Sequence, residues 1–237
     1  MATYYDIKGQ QVQNLASDPD PVVEGQVWYN TTSNTAKVAS YVPTASWASG
    51  GAMNTARRQV GGFGHTQNTA VCVCGQNPPA LSLTEEYNGS SWSEVNNSPQ
   101  GRIKPFANGS LTAGLLGGGE SGPSSLNTAV EYDGTNWAGG TTIPQNINGG
   151  TGVGTQTSTL LCVGSPPPNT AVLYYDGSSW TAGPAATPVK MSASSGCGTS
   201  QTSALIFGAA SPTPDTTTLE WDGSSWTAGG ALNTGRN

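Results

Sequence analysis

Four stretches of the sequence decide the fold, because each carries an aromatic residue, an Asn or Asp, a Gly and a closing Trp: EEYNGSSW (85–92), VEYDGTNW (130–137), LYYDGSSW (173–180) and LEWDGSSW (219–226). A degraded version, SYVPTASW, ends at Trp47. The five Trp residues that close these stretches are 43 to 46 residues apart. A period of this length indicates a chain built from copies of one supersecondary unit.

The Asx-Gly pair inside each stretch predicts a tight hairpin. Such pairs favour a type I′ turn, in which both central residues have positive φ. Counting back from each Trp, this turn would pair position −5 with −2, position −6 with −1, and position −7 with the Trp itself. One face of the hairpin would then gather the aromatic residue at −5, the residue at −7 and the Trp, while position −6 would face the other way.

Each repeat also contains an apolar run that ends in Gly, such as TAVCVCG (69–75) or STLLCVG (158–164), and a Gly-rich stretch before it. A repeat is therefore predicted to hold four strands: a Gly-rich strand, an apolar strand, an aromatic strand and a Trp strand. No stretch of ten residues keeps a 3.6-residue apolar period, so the prediction is an all-β protein. The Gly-rich pair, the following Tyr and the closing Trp resemble kelch-type repeats, which implies a β-propeller.

The Trp spacing gives four complete repeats, 47–91, 92–136, 137–179 and 180–225. The resemblance implies that they lie within a propeller that spans residues 25–237. The tail TAGGALNTGRN (227–237) matches the segment after Trp47 and so opens a fifth repeat. We expect this split or incomplete fifth blade to close by pairing of 226–237 with 25–46. The alternative is that the 237 residues belong to a longer protein.

Residues 1–24 do not repeat and are interpreted as an N-terminal docking arm. The stretch DPDPVVEGQVWYNTTSNTAKV (18–38) resembles a segment near the start of many bacteriophage tail-fibre and other virion proteins. Kelch-like blades that end in Y-D-G-[ST]-[SN]-W also resemble virion proteins of marine phages. Both resemblances imply a virion protein that is assembled in the host cytoplasm and contacts other virion proteins through the arm, as a homo-oligomer in the particle.

Composition excludes several classes of function. Eight Lys and Arg face 14 Asp and Glu, for a net charge of −6, whereas a nucleic-acid binder needs a basic surface. The start, MATYYDIKGQ, lacks the apolar core of a secretory signal, and the sequence has no run of 18 apolar residues. We therefore expect neither nucleic-acid binding nor membrane insertion.

No catalytic, cofactor-binding or metal-binding residue is predicted. His65 is the single His, and the four Cys residues lack the clustered spacing of a zinc site. Glycosidase chemistry needs two carboxylates in one site. Glu86, Glu131 and Glu220 recur once per repeat, so the repeat would hold them apart.

One charged position does recur, ten residues after a Trp: Arg57, Arg102, Lys190 and Arg236. The third repeat has Ile147 there instead. These cations could form a binding ring for an anionic glycan or a partner's carboxylates, or they could pair with the recurrent Glu at −6. The loops at 76–82, 120–127, 165–170 and 210–216 differ most between repeats and are either a binding surface or solvated connectors.

The sequence thus predicts a non-enzymatic phage structural protein. Its propeller would be presented on a tail fibre or surface appendage to bind a host-surface glycan or protein. One alternative is a capsid or tail decoration protein that stabilises the particle. A second alternative is a carbohydrate-active enzyme on the same fold.

Overall fold

The computed structural model describes residues 12–21, 25–39, 48–166, 170–209 and 214–236. Contacts divide the chain into two compact units, Met1–Ser49 and Gly50–Asn237. The boundary predicted at residue 24 differs from this division. Several features predicted from sequence lie outside the described residues: residues 1–11 and 22–24 of the predicted arm, residues 40–46 and Trp47.

The N-terminal unit contains a three-stranded sheet of β1 (Gln13–Leu15), β2 (Val27–Asn30) and β3 (Thr35–Val38). β1 pairs in parallel with β2, and β2 pairs with β3 as the hairpin that the sequence predicts. Residues 13–15 therefore belong to the same sheet as 27–38. The boundary differs because the arm supplies an edge strand to the hairpin.

Asp18 ties the arm to the hairpin. Its carboxylate accepts hydrogen bonds from Trp28 Nε1 at 3.0 Å, Asn30 Nδ2 at 2.8 Å and Lys37 Nζ at 2.7 Å. The bond from Lys37, then those from Asn30 and Trp28, lower the pKa of Asp18 to about 2. The arm is thus held by side-chain chemistry as well as by the β1–β2 ladder.

Because the folded pKa of Asp18 is depressed, its contribution to the N-terminal unit is complete above the ordinary carboxyl pKa and is lost as the pH falls towards 2. We expect the Trp28 indole N–H resonance to shift with a midpoint near this pH in NMR spectra. The Trp221 indole donates to the Gln201 carbonyl and is the internal control. A Trp28 midpoint near pH 4, or none in this range, would contradict the arrangement.

The second unit is built from four antiparallel sheets in the described part of the chain. Sheet 1 contains β4 (Gly61–Thr66), β5 (Thr69–Val73), β6 (Thr84–Tyr87) and β7 (Trp92–Val95). Sheet 2 contains β8 (Phe106–Ser110), β9 (Ala113–Gly117), β10 (Glu120–Ser121), β11 (Ser124–Tyr132) and β12 (Trp137–Ile147). Sheet 3 contains β13 (Thr151–Thr155), β14 (Ser158–Cys162), β15 (Val172–Tyr175) and β16 (Trp180–Ala182). Sheet 4 contains β17 (Ser195–Ser200), β18 (Ser203–Phe207), β19 (Thr218–Trp221) and β20 (Trp226–Ala228).

The all-β prediction is confirmed: the described residues form strands and turns and no helix. Sheets 1, 3 and 4 also have the predicted strand order of Gly-rich, apolar, aromatic and Trp strands. Sheet 2 departs from it because part of the 120–127 loop forms β10 and extends β11, and β12 is 11 residues long. The closure of a fifth blade by 226–237 and 25–46 stays a prediction.

The prediction of a type I′ turn is wrong for all four hairpins. Only the Gly of each Asx-Gly pair has positive φ, between 91° and 96°. The Asx side chain instead accepts backbone N–H bonds from the residues two and three places later, as Asp176 Oδ1 does from Ser178 at 2.8 Å and Ser179 at 2.7 Å. These bonds lower the pKa of Asp176 to about 2, and they stabilise a four-residue connection.

The register therefore shifts by two residues. The aromatic residue at −5 pairs with the Trp itself, as Tyr87 does with Trp92 and Tyr175 with Trp180. Their ring centroids lie 5.1 Å and 4.8 Å apart. Because the shift is even, the predicted grouping of −7, −5 and Trp on one face is retained.

Three hydrophobic cores lie between consecutive sheets. The first joins Phe63, Val71 and Val73 of sheet 1 to sheet 2, the second joins sheets 2 and 3, and the third joins sheets 3 and 4. Each core combines one face of a sheet with the opposite face of the next. The sheets are thus stacked face to face in chain order.

Candidate ligand-binding cavity

The first strands of all four sheets border the same space. β4, β8, β13 and β17 lie side by side in chain order. They line two adjoining cavities of about 210 Å³ and 230 Å³, which share Gly62, Ala107, Gly152 and Gly196. We call the first the upper cavity and the second the lower cavity. Four strands from four sheets thus converge on one region.

The Gly-rich character of these strands explains why the space is open. A side chain at Gly152 would have its Cβ 2.7 Å from Asn108 Oδ1 and 2.8 Å from Phe106 Cδ2, so the close approach requires glycine. The lining is therefore mostly backbone, with His65 and Cys197 at the upper cavity. No Asp, Glu, Lys or Arg lines either cavity among the described residues.

Asn108 lies beside the upper cavity and has a buried acceptor. The residue is 6% exposed, and its Nδ2 donates to Thr159 Oγ1 at 2.8 Å and to the Thr155 carbonyl at 3.1 Å. These bonds fix the orientation of the amide, and its Oδ1 is buried without a hydrogen-bond partner in the described structure. A buried acceptor of this kind is stabilised by a donor from a ligand or a water.

The variable loops lie at the lower end. The loop segments that follow the apolar strands pair with the residues that precede the first strands, as in the bridges Arg58–Gln76, Ile103–Glu120 and Asn148–Ser165. The lower cavity is lined at that end by Val60, Pro105 and Gly150. The described loops and the lower cavity mouth therefore share one end of the unit. Residues 167–169 and 210–213 of the predicted binding loops lie outside the described part.

The four residues of the predicted cationic ring differ in burial. The Arg57 side chain is fully buried in an ion pair with Glu85, and its Nη2 donates to the Cys72 carbonyl at 3.1 Å. Arg102 is 1% exposed, whereas Lys190 and Arg236 are exposed. Arg57 and Arg102 therefore hold the fold together, and two exposed cations remain of the four proposed.

Glu85 takes the −7 position that Val130, Leu173 and Leu219 occupy in the other sheets. Burial alone would raise the pKa of Glu85, but the backbone N–H of Asn54, the Arg57 guanidinium and the N–H of Thr55 together hold it below its usual range. The pairing that the sequence suggested, between these cations and the Glu at −6, is absent for Arg57, whose partner is the residue at −7.

Arg102 is buried without a carboxylate. Its Nη1 donates to the Gly118 carbonyl at 2.8 Å and the Thr128 carbonyl at 2.9 Å, and its Nη2 donates to Thr128 Oγ1 at 2.9 Å. Desolvation lowers the pKa of Arg102. The guanidinium thus fastens the segment before sheet 2 to the strands of that sheet.

Position −6 serves contacts between sheets. The carboxylate of Glu86 in sheet 1 accepts from Tyr132 Oη of sheet 2 at 2.6 Å, and Glu131 of sheet 2 accepts from Tyr175 Oη of sheet 3 at 2.6 Å. Burial, then the hydrogen bond to Glu131, raises the pKa of Tyr175 to about 12. Where the next sheet has Trp221 at −5 in place of Tyr, position −6 is Tyr174 in place of Glu.

Removing one of these hydroxyls leaves a carboxylate between two sheets without its donor. We expect Tyr175→Phe to lower the free energy of unfolding by about 1.5–3 kcal/mol, the range for hydrogen bonds to charged groups. Tyr87→Phe is the matched control, since Tyr87 is half-buried and its hydroxyl has no hydrogen-bond partner among the described residues. Equal effects of the two substitutions in urea denaturation would contradict the role of the contact.

The described residues contain few other features that indicate a function. Within the described residues, no group of three or more His, Cys, Asp or Glu side chains could hold a metal ion. No helix in the same residues is long and apolar enough to cross a membrane. Cys72, Cys74 and Cys162 are buried, and Cys197 is exposed.

Comparisons with known proteins support the fold but identify neither a family nor a function. No family model matches the sequence, and no curated protein matches it. The chain is similar to a solved structure described as "Structure of YjhT", with a TM-score of 0.63 and 10% identity over 77% of this chain and 68% of that chain. At this identity the likeness shows the fold alone.

Proposed function

We propose that residues 50–236 are four consecutive blades of a kelch-like β-propeller. The support is the chain-order stacking of sheets 1 to 4, together with the convergence of β4, β8, β13 and β17 on one pair of cavities. In a propeller, each blade places its first strand at the axis. The Gly-rich strands would then line the axial channel.

We further propose that the protein is a non-enzymatic structural protein of a bacteriophage particle. It belongs to a tail fibre or surface appendage and presents its cavity and loops to a carbohydrate of the host surface. The virion assignment rests on the resemblance of residues 18–38 to phage tail-fibre segments. The N-terminal unit would contact other virion proteins, after assembly in the host cytoplasm.

The observation that carries the choice of ligand is the lining of the upper cavity. Backbone groups, the Asn108 side chain and the His65 imidazole line it, and no Asp, Glu, Lys or Arg does among the described residues. This chemistry suits the hydroxyl groups of an uncharged sugar better than an anionic ligand. The volume, about 210 Å³, is below the roughly 300–1,000 Å³ of drug-sized sites, so a single sugar unit or chain end is the ligand that fits.

The disposition of carboxylates supports binding without hydrolysis. Glu85 is paired with Arg57, and Glu86 and Glu131 accept hydrogen bonds from tyrosines of neighbouring sheets. A glycosidase needs two carboxyl groups about 5–10 Å apart on either side of its substrate. Glu85, Glu86 and Glu131 are instead engaged in contacts that hold the fold together.

The test is binding of the purified full-length protein to an array of bacterial surface glycans, compared with two variants. His65→Trp places a large side chain at the upper cavity, and Ser93→Trp places the same side chain on the exposed strand β7. We expect the first variant to lose at least tenfold in affinity for an uncharged glycan and the second to bind like wild type.

Equal binding by both variants would contradict the cavity as the site. Release of reducing sugar from host envelope would contradict the non-enzymatic assignment. Peptides of this protein in purified phage particles, detected by mass spectrometry, are expected on the virion proposal. Their absence from particles of a phage that encodes the protein would overturn it.

A further inference from the structure

The turn of the hairpin in sheet 1 differs from the other three in the side chain at position −4. Asn88 stands there, whereas the other three sheets have an Asp: Asp133, Asp176 and Asp222. Asn88 is exposed, and its Oδ1 accepts hydrogen bonds from the backbone N–H groups of Ser90 and Ser91, both at 3.0 Å. This turn therefore has the same Asx hydrogen bonds as the others, but it is made by an uncharged amide.

An Asn followed by Gly is a pair at which the side-chain amide can be lost without an enzyme. The backbone nitrogen of Gly89 attacks Cγ of Asn88, and the side-chain nitrogen leaves as ammonia after it takes up the proton of the Gly89 N–H. The product is a cyclic succinimide. Water then adds to one of its two carbonyls and opens the ring, which leaves an aspartyl or an isoaspartyl residue.

The three Asn–Gly pairs of this chain have different environments. They are residues 88–89, 108–109 and 148–149. The Gly89 N–H has no hydrogen-bond partner among the described residues, and both residues of its pair are exposed. The Gly149 N–H instead donates to the Lys104 carbonyl at 3.0 Å. Asn108 is 6% exposed and Gly109 is buried on β8, so water has little access to that pair. The attacking nitrogen is therefore free and accessible at the first pair.

The aspartyl product fits the hairpin, because the other three turns are already built from Asp. Asp222 Oδ1 accepts the two equivalent backbone N–H bonds from Ser224 and Ser225, both at 2.8 Å. The bond from Ser225, then that from Ser224, lowers the pKa of Asp222. Closing the ring again requires a protonated carboxyl, which loses water in the reaction. The same bonds at residue 88 would therefore keep the aspartyl product ionised and slow its return to the succinimide.

The isoaspartyl product does not fit this hairpin. Its main chain runs through Cβ and Cγ of residue 88, which adds one atom to the connection and displaces the acceptor of the Ser90 and Ser91 N–H groups. The connection is fixed by the pairing of Tyr87 with Trp92, whose ring centroids lie 5.1 Å apart. Without those N–H bonds the isoaspartyl carboxyl closes the ring again more readily, so repeated cycles accumulate the aspartyl form in the folded protein.

We propose that Asn88–Gly89 is a deamidation site at which the turn of sheet 1 is converted into the aspartyl turn of the other three sheets. The conversion consumes one water, releases one ammonia and adds one negative charge to the net charge of −6. The hairpin is retained, because the carboxylate accepts the N–H bonds that the amide accepted before.

The test incubates the folded full-length protein at mildly alkaline pH and follows the three Asn–Gly pairs by peptide mapping with mass spectrometry. We expect Asn88 to deamidate about tenfold faster than Asn148, the effect of one hydrogen bond on the attacking nitrogen. Asn108 should be at least as slow as Asn148. In urea the three pairs should react at similar rates, because the dipeptide is the same. Equal rates in the folded protein, or a tenfold difference that persists in urea, would overturn the proposal.

Two variants and an analysis of the isomers test the product. Asn88→Asp should unfold at the same urea concentration as wild type or at a higher one. Asn88→Ala lacks the acceptor and should unfold at a lower concentration. Electron-transfer fragmentation distinguishes the isomers, and we expect aspartate to predominate in the folded protein and isoaspartate in urea. A folded protein that accumulates mainly isoaspartate, or an Asn88→Asp variant as unstable as Asn88→Ala, would contradict the conversion.

Discussion

Replacing Glu85 by leucine is expected to lower the free energy of unfolding by about 3–5 kcal/mol, because it leaves the guanidinium of Arg57 buried without its counter-charge. Both side chains of this pair are fully buried. Arg57→Met should have an effect of similar size, since it leaves the Glu85 carboxylate with only the backbone N–H groups of Asn54 and Thr55.

The double variant Arg57→Met/Glu85→Leu is expected to recover most of the loss. Leucine is the residue that sheets 3 and 4 already have at this position, as Leu173 and Leu219, and well-packed apolar replacements of buried ion pairs are often neutral or stabilising. Urea denaturation of the four proteins gives the coupling energy. Arg58→Met, next to Arg57 but exposed, is the control, for which we expect a change within about 0.5 kcal/mol.

The same pair predicts a dependence on pH. The folded-state pKa of Glu85 is depressed, so its contribution to stability is complete above the unfolded-state value of about 4.3 and is lost as the pH falls below it. The difference in stability between wild type and the double variant should therefore shrink or reverse in acid. Additive single effects in the cycle, or a difference that does not change with pH, would contradict a coupled ion pair.

Replacing Arg102 by methionine should lower the free energy of unfolding by about 3 kcal/mol or more, because at least two buried hydrogen-bonding groups lose a donor and each costs about 1–3 kcal/mol. The groups are the Gly118 carbonyl and Thr128, which accept three hydrogen bonds from the Arg102 guanidinium. Arg102 thus differs from Arg57, since removing its charge leaves no opposite charge behind.

The measurement is again urea denaturation, with Arg102→Lys as a second variant. One ammonium group keeps the charge but cannot reach both Thr128 atoms and the Gly118 carbonyl with the fork geometry of a guanidinium. We therefore expect the lysine variant to recover only part of the loss. Full recovery by lysine would mean that charge alone matters, and a loss below about 1 kcal/mol for methionine would contradict the role of the three bonds.

The strand order of the repeat could be predicted from sequence because it depends on local patterns. The Asx-Gly pairs identify the hairpins, and the apolar runs identify the buried second strands. The turn geometry was wrong because the Asx side chain, which accepts two backbone N–H bonds, favours a four-residue connection over the two-residue turn that the dipeptide suggests. Sheet 2 could not be predicted because its 120–127 segment forms strands where the other repeats have loops.

The candidate site depends on contacts between repeats, which a single repeat does not reveal. The recurrence of Arg57 and Arg102 was visible in the sequence, but their burial was not. One feature of the sequence did indicate a buried cation: Glu85 stands where the other sheets have Val or Leu, and a charge at a buried apolar position needs a partner of opposite charge. The sequence also shows a Glu at −6 of one repeat and a Tyr at −5 of the next. That these two side chains form a hydrogen bond can be inferred only once the two sheets are known to be neighbours.

The central claim is that sheets 1 to 4 surround a common axis, and one distance tests it directly. Cys197 is exposed and lines the same cavity as His65, while Cys72, Cys74 and Cys162 are buried, and burial raises the pKa of the Cys162 thiol to about 12. Spin labels on Cys197 and on a His65→Cys variant would thus report the distance between sheets 4 and 1 by pulsed electron paramagnetic resonance. Sheets around one axis predict less than about 20 Å, whereas four sheets stacked in a line at about 10 Å spacing would give about 30 Å and contradict the account.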